Sequence, residues 1–239
     1  LSMNLTRAGE LIYDAVLTLA YPQICVICGS SVEQRRFGVA CEACWKETRI
    51  CTDEERICFK CGMPDQERCG RCEELAFTAA RAVGMYEGAL RESVLLLKRQ
   101  PYVLQHVESL LAEVVTREPL SRSTRVIPVP LHPQRLRTRG FNQASIIGQA
   151  VSKALELPLD EVSLVRVSTT EKYRAGMDTK GRRDTVAGAF RVAYPRIIAG
   201  EDILLVDDVF TTGATVSACA EVLFNAGANS VFVLTIGRA

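Results

Sequence analysis

Ile203-Leu204-Leu205-Val206-Asp207-Asp208-Val209-Phe210-Thr211-Thr212-Gly213-Ala214-Thr215-Val216-Ser217 is the stretch whose reading decides the fold. Ile203–Val206 is an unbroken apolar run after the Gly200-Glu201-Asp202 turn, the pattern of a strand buried on both faces of a parallel sheet. Asp207 and Asp208 stand at its carboxyl end, where ligands bind in open α/β sheets. Small residues follow, and then a helical pattern carried by Val216, Ala220, Val222, Leu223 and Ala226, with Gly227 placed to cap it.

That order has specific chemistry. A small-residue loop entering a helix amino terminus offers unpaired N–H groups and the positive end of the dipole, so it receives a phosphate. The hydroxyls of Thr211, Thr212 and Thr215 add donors, while Gly213 and Ala214 let the backbone approach the anion. Two carboxylates beside a phosphate would repel it, so Asp207 and Asp208 must serve differently, by accepting hydrogen bonds from a sugar diol. A ligand with a 5′-phosphate and a ribose satisfies both halves. A P-loop is excluded, since Gly-x-x-x-x-Gly-Lys-Ser/Thr is absent. Taken singly, each of these residues reads as an ordinary turn or helix cap; their combination does not.

The 239-residue chain is consistent with one large domain or two smaller ones. A net charge of +1 confines any nucleic-acid site to a local patch. No stretch is long and apolar enough to span a membrane. Leu5, Ala8, Leu11, Ile12, Ala15, Val16 and Leu19 have helical spacing, so residues 4–20 read as an amphipathic helix. Glu10 and Asp14 would interrupt a secretory core, and the expected compartment is the cytoplasm.

Eight of the ten cysteines form Cys-x-x-Cys pairs: Cys25/Cys28, Cys41/Cys44, Cys58/Cys61 and Cys69/Cys72. Two such pairs make one tetrahedral Cys₄ site, so four predict two structural zinc ions. Pairing in sequence, first with second and third with fourth, is favoured over interleaved pairing. Compartment argues against a disulfide module. Metal binding would supply folding free energy on the order of 10 kcal/mol per site. Cys51 and Cys219 read as plain, buried or half-buried thiols.

Beyond Leu75 the cysteine pairs stop. A strand is expected at Ala82–Tyr86, helices over Ala89–Lys98 and Val103–Arg117, and strands near Val162–Val167, Ala189–Val192 and Ser230–Ile236. Lys98 and Arg99 either complement a helix dipole or meet a ligand. Val126–Val129 can be a strand only if Pro128 is terminal or at an edge. Arg135, Arg137 and Arg139 then form a cationic loop before a helix opening at Asn142; Arg135 and Arg139 are the best candidates for a second anion such as pyrophosphate. Residues 168–188 are polar and basic, with Lys172, Arg174 and Arg182, read as a flap over a polyanion or as a solvated loop.

The combination of four cysteine pairs, Pro128-Val129-Pro130-Leu131-His132, Arg139-Gly140-Phe141-Asn142-Gln143 and the Asp207–Thr215 signature resembles the ComF family. The segment around Asp178 and Asp184 departs from the family pattern, where Ser and Asn are usual. The resemblance implies an α/β fold of the type I phosphoribosyltransferase kind, a mostly parallel twisted sheet with flanking helices. It covers nearly the whole chain after residue 20, so the expected organisation is the amphipathic helix within 1–20, a double zinc ribbon over 21–74 and the α/β domain over 75–239. The implied ligand is phosphoribosyl pyrophosphate (PRPP) with magnesium. Implied partners are single-stranded DNA and DNA-uptake proteins, in a competence role. A metabolic phosphoribosyltransferase acting on an unidentified base or amine is the competing reading.

Overall fold

The structure, a computed structural model, describes residues 22–52, 57–65, 67–167 and 188–239. The helix expected over 4–20 and the flap residues Lys172, Arg174 and Arg182 lie outside the described residues. In chain order the strands are β1 (Ala79–Met85), β2 (Arg125–Pro128), β3 (Leu164–Arg166), β4 (Phe190–Val192), β5 (Asp202–Phe210) and β6 (Ser230–Arg238). The helices are α1 (Glu42–Glu47), α2 (Gly88–Leu97), α3 (Gln105–Val115), α4 (Pro133–Arg139), α5 (Gln143–Leu155), α6 (Pro195–Ile198) and α7 (Ala214–Asn225).

Four strands form a parallel sheet in the order β1-β6-β5-β2. The mostly parallel α/β fold expected from the apolar run is thus the one observed. Ile203, Leu204, Leu205 and Val206 are each fully buried, and the two-residue side-chain period divides them between two cores. Leu204 and Val206 pack with Phe232, Leu234, Ile147 and Val151 on one face. Ile203 and Leu205 pack with Val231, Val233, Ala220 and Leu223 on the other. A sheet sealed on both faces explains why these strands read as continuous rather than alternating apolar runs. Removing a side chain such as Leu205 by alanine substitution would cost about 2–5 kcal/mol.

Pro128 is the last residue of β2, opposite Val206, so its missing N–H breaks no ladder. β3 and β4 form a separate antiparallel pair, with Leu164 opposite Val192.

The cysteine-rich segment straddles the β1 edge of the sheet. Ile50 forms an antiparallel bridge with Gly84, and Cys51 N donates to Val83 O at 2.9 Å. Before this crossing, Cys25, Cys41, Cys44 and Trp45 join the core that holds α3. After it, Cys58, Cys61, Cys72, Leu75 and Phe77 join the core that holds α7. The two ribbons therefore support opposite faces of one sheet.

One local difference from the sequence reading concerns the arginine loop, which is a short helix, α4. Pro133 at its first turn is preorganised for helical φ. His132 Nδ1 accepts from Gln134 N at 3.2 Å, and Gly140 at φ 84° ends it in the left-handed region.

Candidate ligand pocket and metal centres

Asp207 and Asp208 lie within β5, whose ladder runs on to Phe210. Both carboxylates are half-buried and line a cavity of about 450 Å³. Around them stand Lys98, Arg135, Arg139, Arg166, His132, Gln143 and Thr215. Five sequence-separated elements thus meet: the carboxyl half of β5, the α4 helix with the start of α5, the end of β3, the start of α7, and the residue after α2. Asn142 caps α5, its Oδ1 accepting from Ala144 N at 3.2 Å while its Nδ2 donates to Val129 O at 3.0 Å. This fastens the segment after Arg139 to the end of β2.

The two carboxylates differ. Lys98 Nζ is 3.2 Å from Asp208 Oδ2. Asp207 Oδ1 accepts the Asp208 N–H at 2.9 Å, yet burial and the adjacent Asp208 charge push its pKa up to about 7. Lys98 and Arg166 oppose that rise. The site therefore couples one paired carboxylate to one that ionises near neutrality.

A second, smaller cavity of about 30 Å³ lies next to Asp207, lined by Phe210, Thr211, Gly213, Ala214, Thr215 and Val216. Gly213 has φ 78° and caps the amino terminus of α7. A Cβ there would fall 2.7 Å from Phe210 Cζ and 2.8 Å from Leu75 Cδ1, so both conformation and space demand glycine. Thr212 Oγ1 accepts from Ala214 N at 3.4 Å. Twelve-residue α7 aims its positive dipole end at this small cavity.

Of the residues singled out in the sequence, Arg135, Arg139, Asp207, Asp208 and Thr215 share the larger cavity, and Thr211, Gly213, Ala214 and Thr215 the smaller. Thr212 is half-buried beside them. Arg137 does not line either. Arg166 carried no sequence signal, Gln143 only its place in the Arg139–Gln143 motif, and Lys98 two equal readings; the sheet brings them in from segments far apart in the chain.

The cysteines form two groups, Cys25, Cys28, Cys41, Cys44 and Cys58, Cys61, Cys69, Cys72, with all four Sγ atoms of each within 4.8 Å of one another. The pairing is sequential. Sulfur separations include 3.7 Å for Cys25–Cys44, 3.6 Å for Cys28–Cys41, 3.6 Å for Cys58–Cys72 and 3.3 Å for Cys61–Cys69. Tetrahedral zinc with Zn–S near 2.3 Å places sulfurs roughly 3.8 Å apart, so each group fits the ion. Thiol energetics agree. Hydrogen bonds from Ser30 lower Cys28 to about 6. Burial pushes the Cys58 thiol up, but N–H donors of Cys61, Lys60 and Cys69 outweigh it and bring it to about 6. Burial and neighbouring thiols push Cys44 and Cys72 up. Four sulfurs so close cannot all ionise without a cation between them. Gly62 permits the second knuckle, its N–H donating to Cys58 O at 2.8 Å; a Cβ would meet Ala80 O at 2.7 Å.

Around the first group, Trp45 Nε1 donates to Phe37 O at 3.1 Å. The Trp45 and Phe37 rings meet His106 edge-on, with centroids at 4.5 and 5.1 Å. Burial and the Arg36 charge lower the His106 pKa. Cys219 is fully buried and outside both groups. Among the described residues no helix is long and apolar enough to cross a membrane.

Residues 16–75 match the double zinc ribbon domain. The chain is 29% identical over 231 residues to the DNA utilization protein YhgH of Escherichia coli, covering 92% of this chain and 99% of that protein. It is 27% identical over 227 residues to Competence protein F of Haemophilus influenzae, covering 90% and 96%. Among solved structures it is similar to the glutamine phosphoribosylpyrophosphate amidotransferase of B. subtilis, at 18% identity and a TM-score of 0.37 over 54% of this chain. It spans about a quarter of that protein's length, 26%. Over about nine-tenths of its length the chain is similar to proteins named for DNA utilization and competence, and it is built as a double zinc ribbon domain followed by a mostly parallel α/β domain.

Proposed function

We propose that this protein binds PRPP with magnesium and serves DNA uptake, acting on single-stranded DNA in the cytoplasm, with its zinc ribbon over residues 21–74 and its ligand domain over 75–239. One observation carries the ligand reading: Asp207 lines both the cation-lined cavity, which it shares with Asp208, and the small cavity at the α7 amino terminus. A ribose diol donates to the two carboxylates, the 5′-phosphate takes the N–H and hydroxyl donors of Thr211–Thr215, and Arg135 and Arg139 receive the pyrophosphate. Lys98 and Arg166 add to the cationic wall. Magnesium, held by ligand oxygens, would supply neutralisation of the leaving-group charge. The flap role of Lys172, Arg174 and Arg182 is part of the same proposal. The names of the homologues, competence and DNA utilization, support the biological setting.

The cation set favours a second reading in the same pocket. A base or amine nitrogen attacks C1 of PRPP, the C1–O bond breaks, and pyrophosphate departs with the electron pair while the nitrogen loses its proton. Positive charges at Arg135 and Arg139 would stabilise the departing group. A deletion strain, complemented with the Asp207→Ala, Asp208→Ala double variant, separates the readings. Loss of natural transformation that the variant does not restore ties the pocket to DNA uptake. Normal transformation in the deletion strain removes the competence role and leaves the transferase.

A further inference from the structure

Arg238 ends β6 and is 7% exposed, a position where a cation requires partners. Its contacts lead away from the pocket cations. Its Nη1 donates to Cys61 O. Its Nη2 lies 3.3 Å from Cys61 Sγ and its Nε 3.2 Å from Met63 Sδ. The guanidinium carbon also sits 4.6 Å from the centre of the Phe210 ring. One side chain thus touches a ligand of the second metal centre and the residue immediately before Thr211.

Phe210 carries the contact onward. Its ring packs edge-on against Phe77, with centroids 5.8 Å apart, and against the backbone at Gly213. Two further links run the same way. Leu75, whose N–H donates to Cys72 O at 3.1 Å, abuts Gly213. Ala76 N donates to Ser217 Oγ at 2.9 Å, joining the exit of the ribbon to the first turns of α7. The first metal centre packs in the other core, against Trp45 and α3.

Four thiolates on a divalent ion leave a net charge of about −2. A buried guanidinium beside one sulfur offsets part of it and orients that ligand. We propose that Arg238 is a positioning residue that couples the second zinc centre to the Thr211–Thr215 loop. The loop holds its binding shape only while Cys58, Cys61, Cys69 and Cys72 hold metal, and does not depend in this way on Cys25–Cys44. The ligand consequence rests on the PRPP reading above; the coupling itself does not.

The test uses the full chain as Arg238→Met, Arg238→Lys and Cys28→Ser. Zinc release is followed with a chromophoric chelator, loop opening by hydrogen exchange at residues 211–215, and PRPP affinity by calorimetry with magnesium. Trp45 fluorescence monitors the first centre. In Arg238→Met, one of two zinc ions leaves about tenfold faster, exchange at 211–215 rises, PRPP affinity falls about tenfold, and Trp45 emission stays as in the parent. Arg238→Lys restores part of the zinc retention and, should the methionine variant not fold, carries the comparison in its place. Cys28→Ser leaves exchange at 211–215 unchanged. Unaltered zinc release and loop exchange in the Arg238 variants would overturn the coupling, as would a loop opened equally by Cys28→Ser. If the parent protein binds no PRPP, the ligand reading fails, and loop exchange alone still decides the coupling.

Discussion

Lys98 Nζ stands 3.2 Å from Asp208 Oδ2, joining the residue after α2 to β5 at the wall of the main cavity. The same ammonium is one of the charges that hold Asp207 down from a still higher pKa. Replacing Lys98 by methionine should therefore move the Asp207 titration above about 7. It should also weaken PRPP binding about tenfold, the loss of one cation facing a polyanion, worth about 1.4 kcal/mol. Carboxyl carbon NMR across a pH series reads the first effect. An unmoved Asp207 titration would mean that the ion pair does not reach the second carboxylate.

Asp207 also sets a pH dependence of stability. Its folded pKa, about 7, lies above the unfolded value of about 3.9, so the folded state keeps a proton that the unfolded chain releases. The stability gained this way is fully present below about pH 4 and is lost as pH rises through 7. Urea unfolding of Asp207→Asn, compared with the parent at pH 4 and pH 8, should show the variant gaining relatively at pH 8. The gain is on the order of 1–2 kcal/mol, since water screens the open face of the carboxylate. Parallel pH profiles for the two proteins would contradict the assignment.

Gly213→Ala should be costly for two reasons at once, a positive φ and contacts with Phe210 and Leu75. Together these amount to about 2 kcal/mol, or a fall in Tm of about 4–8 °C for a chain of this size. The small cavity at the α7 terminus should lose its affinity for ribose 5-phosphate. A variant with unchanged Tm and unchanged affinity would show that the loop has room to spare.

Trp45 is the chain's one tryptophan and follows the ligand Cys44 directly, with its ring on His106. Protein purified without added metal should contain about two zinc ions per chain. Chelation should shift Trp45 emission to the red as the first ribbon opens. Emission that is unchanged after both ions have left would separate the ribbon fold from its metal.

Much of this molecule is legible in the sequence, because the relevant signals are local. A buried parallel strand needs a continuous apolar run, and Ile203–Val206 supplies one; Cys-x-x-Cys spacing encodes a knuckle without reference to the rest of the chain. What the sequence hides depends on tertiary proximity. Lys98 meets Asp208 only because β1, β6, β5 and β2 align in that order. Arg238 meets Cys61 across 177 residues. The arginine segment is helical because Pro133 and Gly140 act as its start and stop signals, and in the sequence the cluster of charge outweighs them. The single period of β5 also conceals that its alternate residues belong to two cores, each holding a different ribbon.

The most direct measurement is calorimetric titration of PRPP, with magnesium, into the parent protein and the Asp207→Ala, Asp208→Ala double variant. The parent should bind PRPP and bind ribose 5-phosphate more weakly, because the latter offers nothing to Arg135 and Arg139. The double variant should keep its two zinc ions and a cooperative unfolding transition but lose PRPP binding by at least about a hundredfold, two carboxylate hydrogen-bond acceptors being removed together. Equal affinity in parent and double variant would contradict the placement of the ribose on β5, and with it the reading of the pocket.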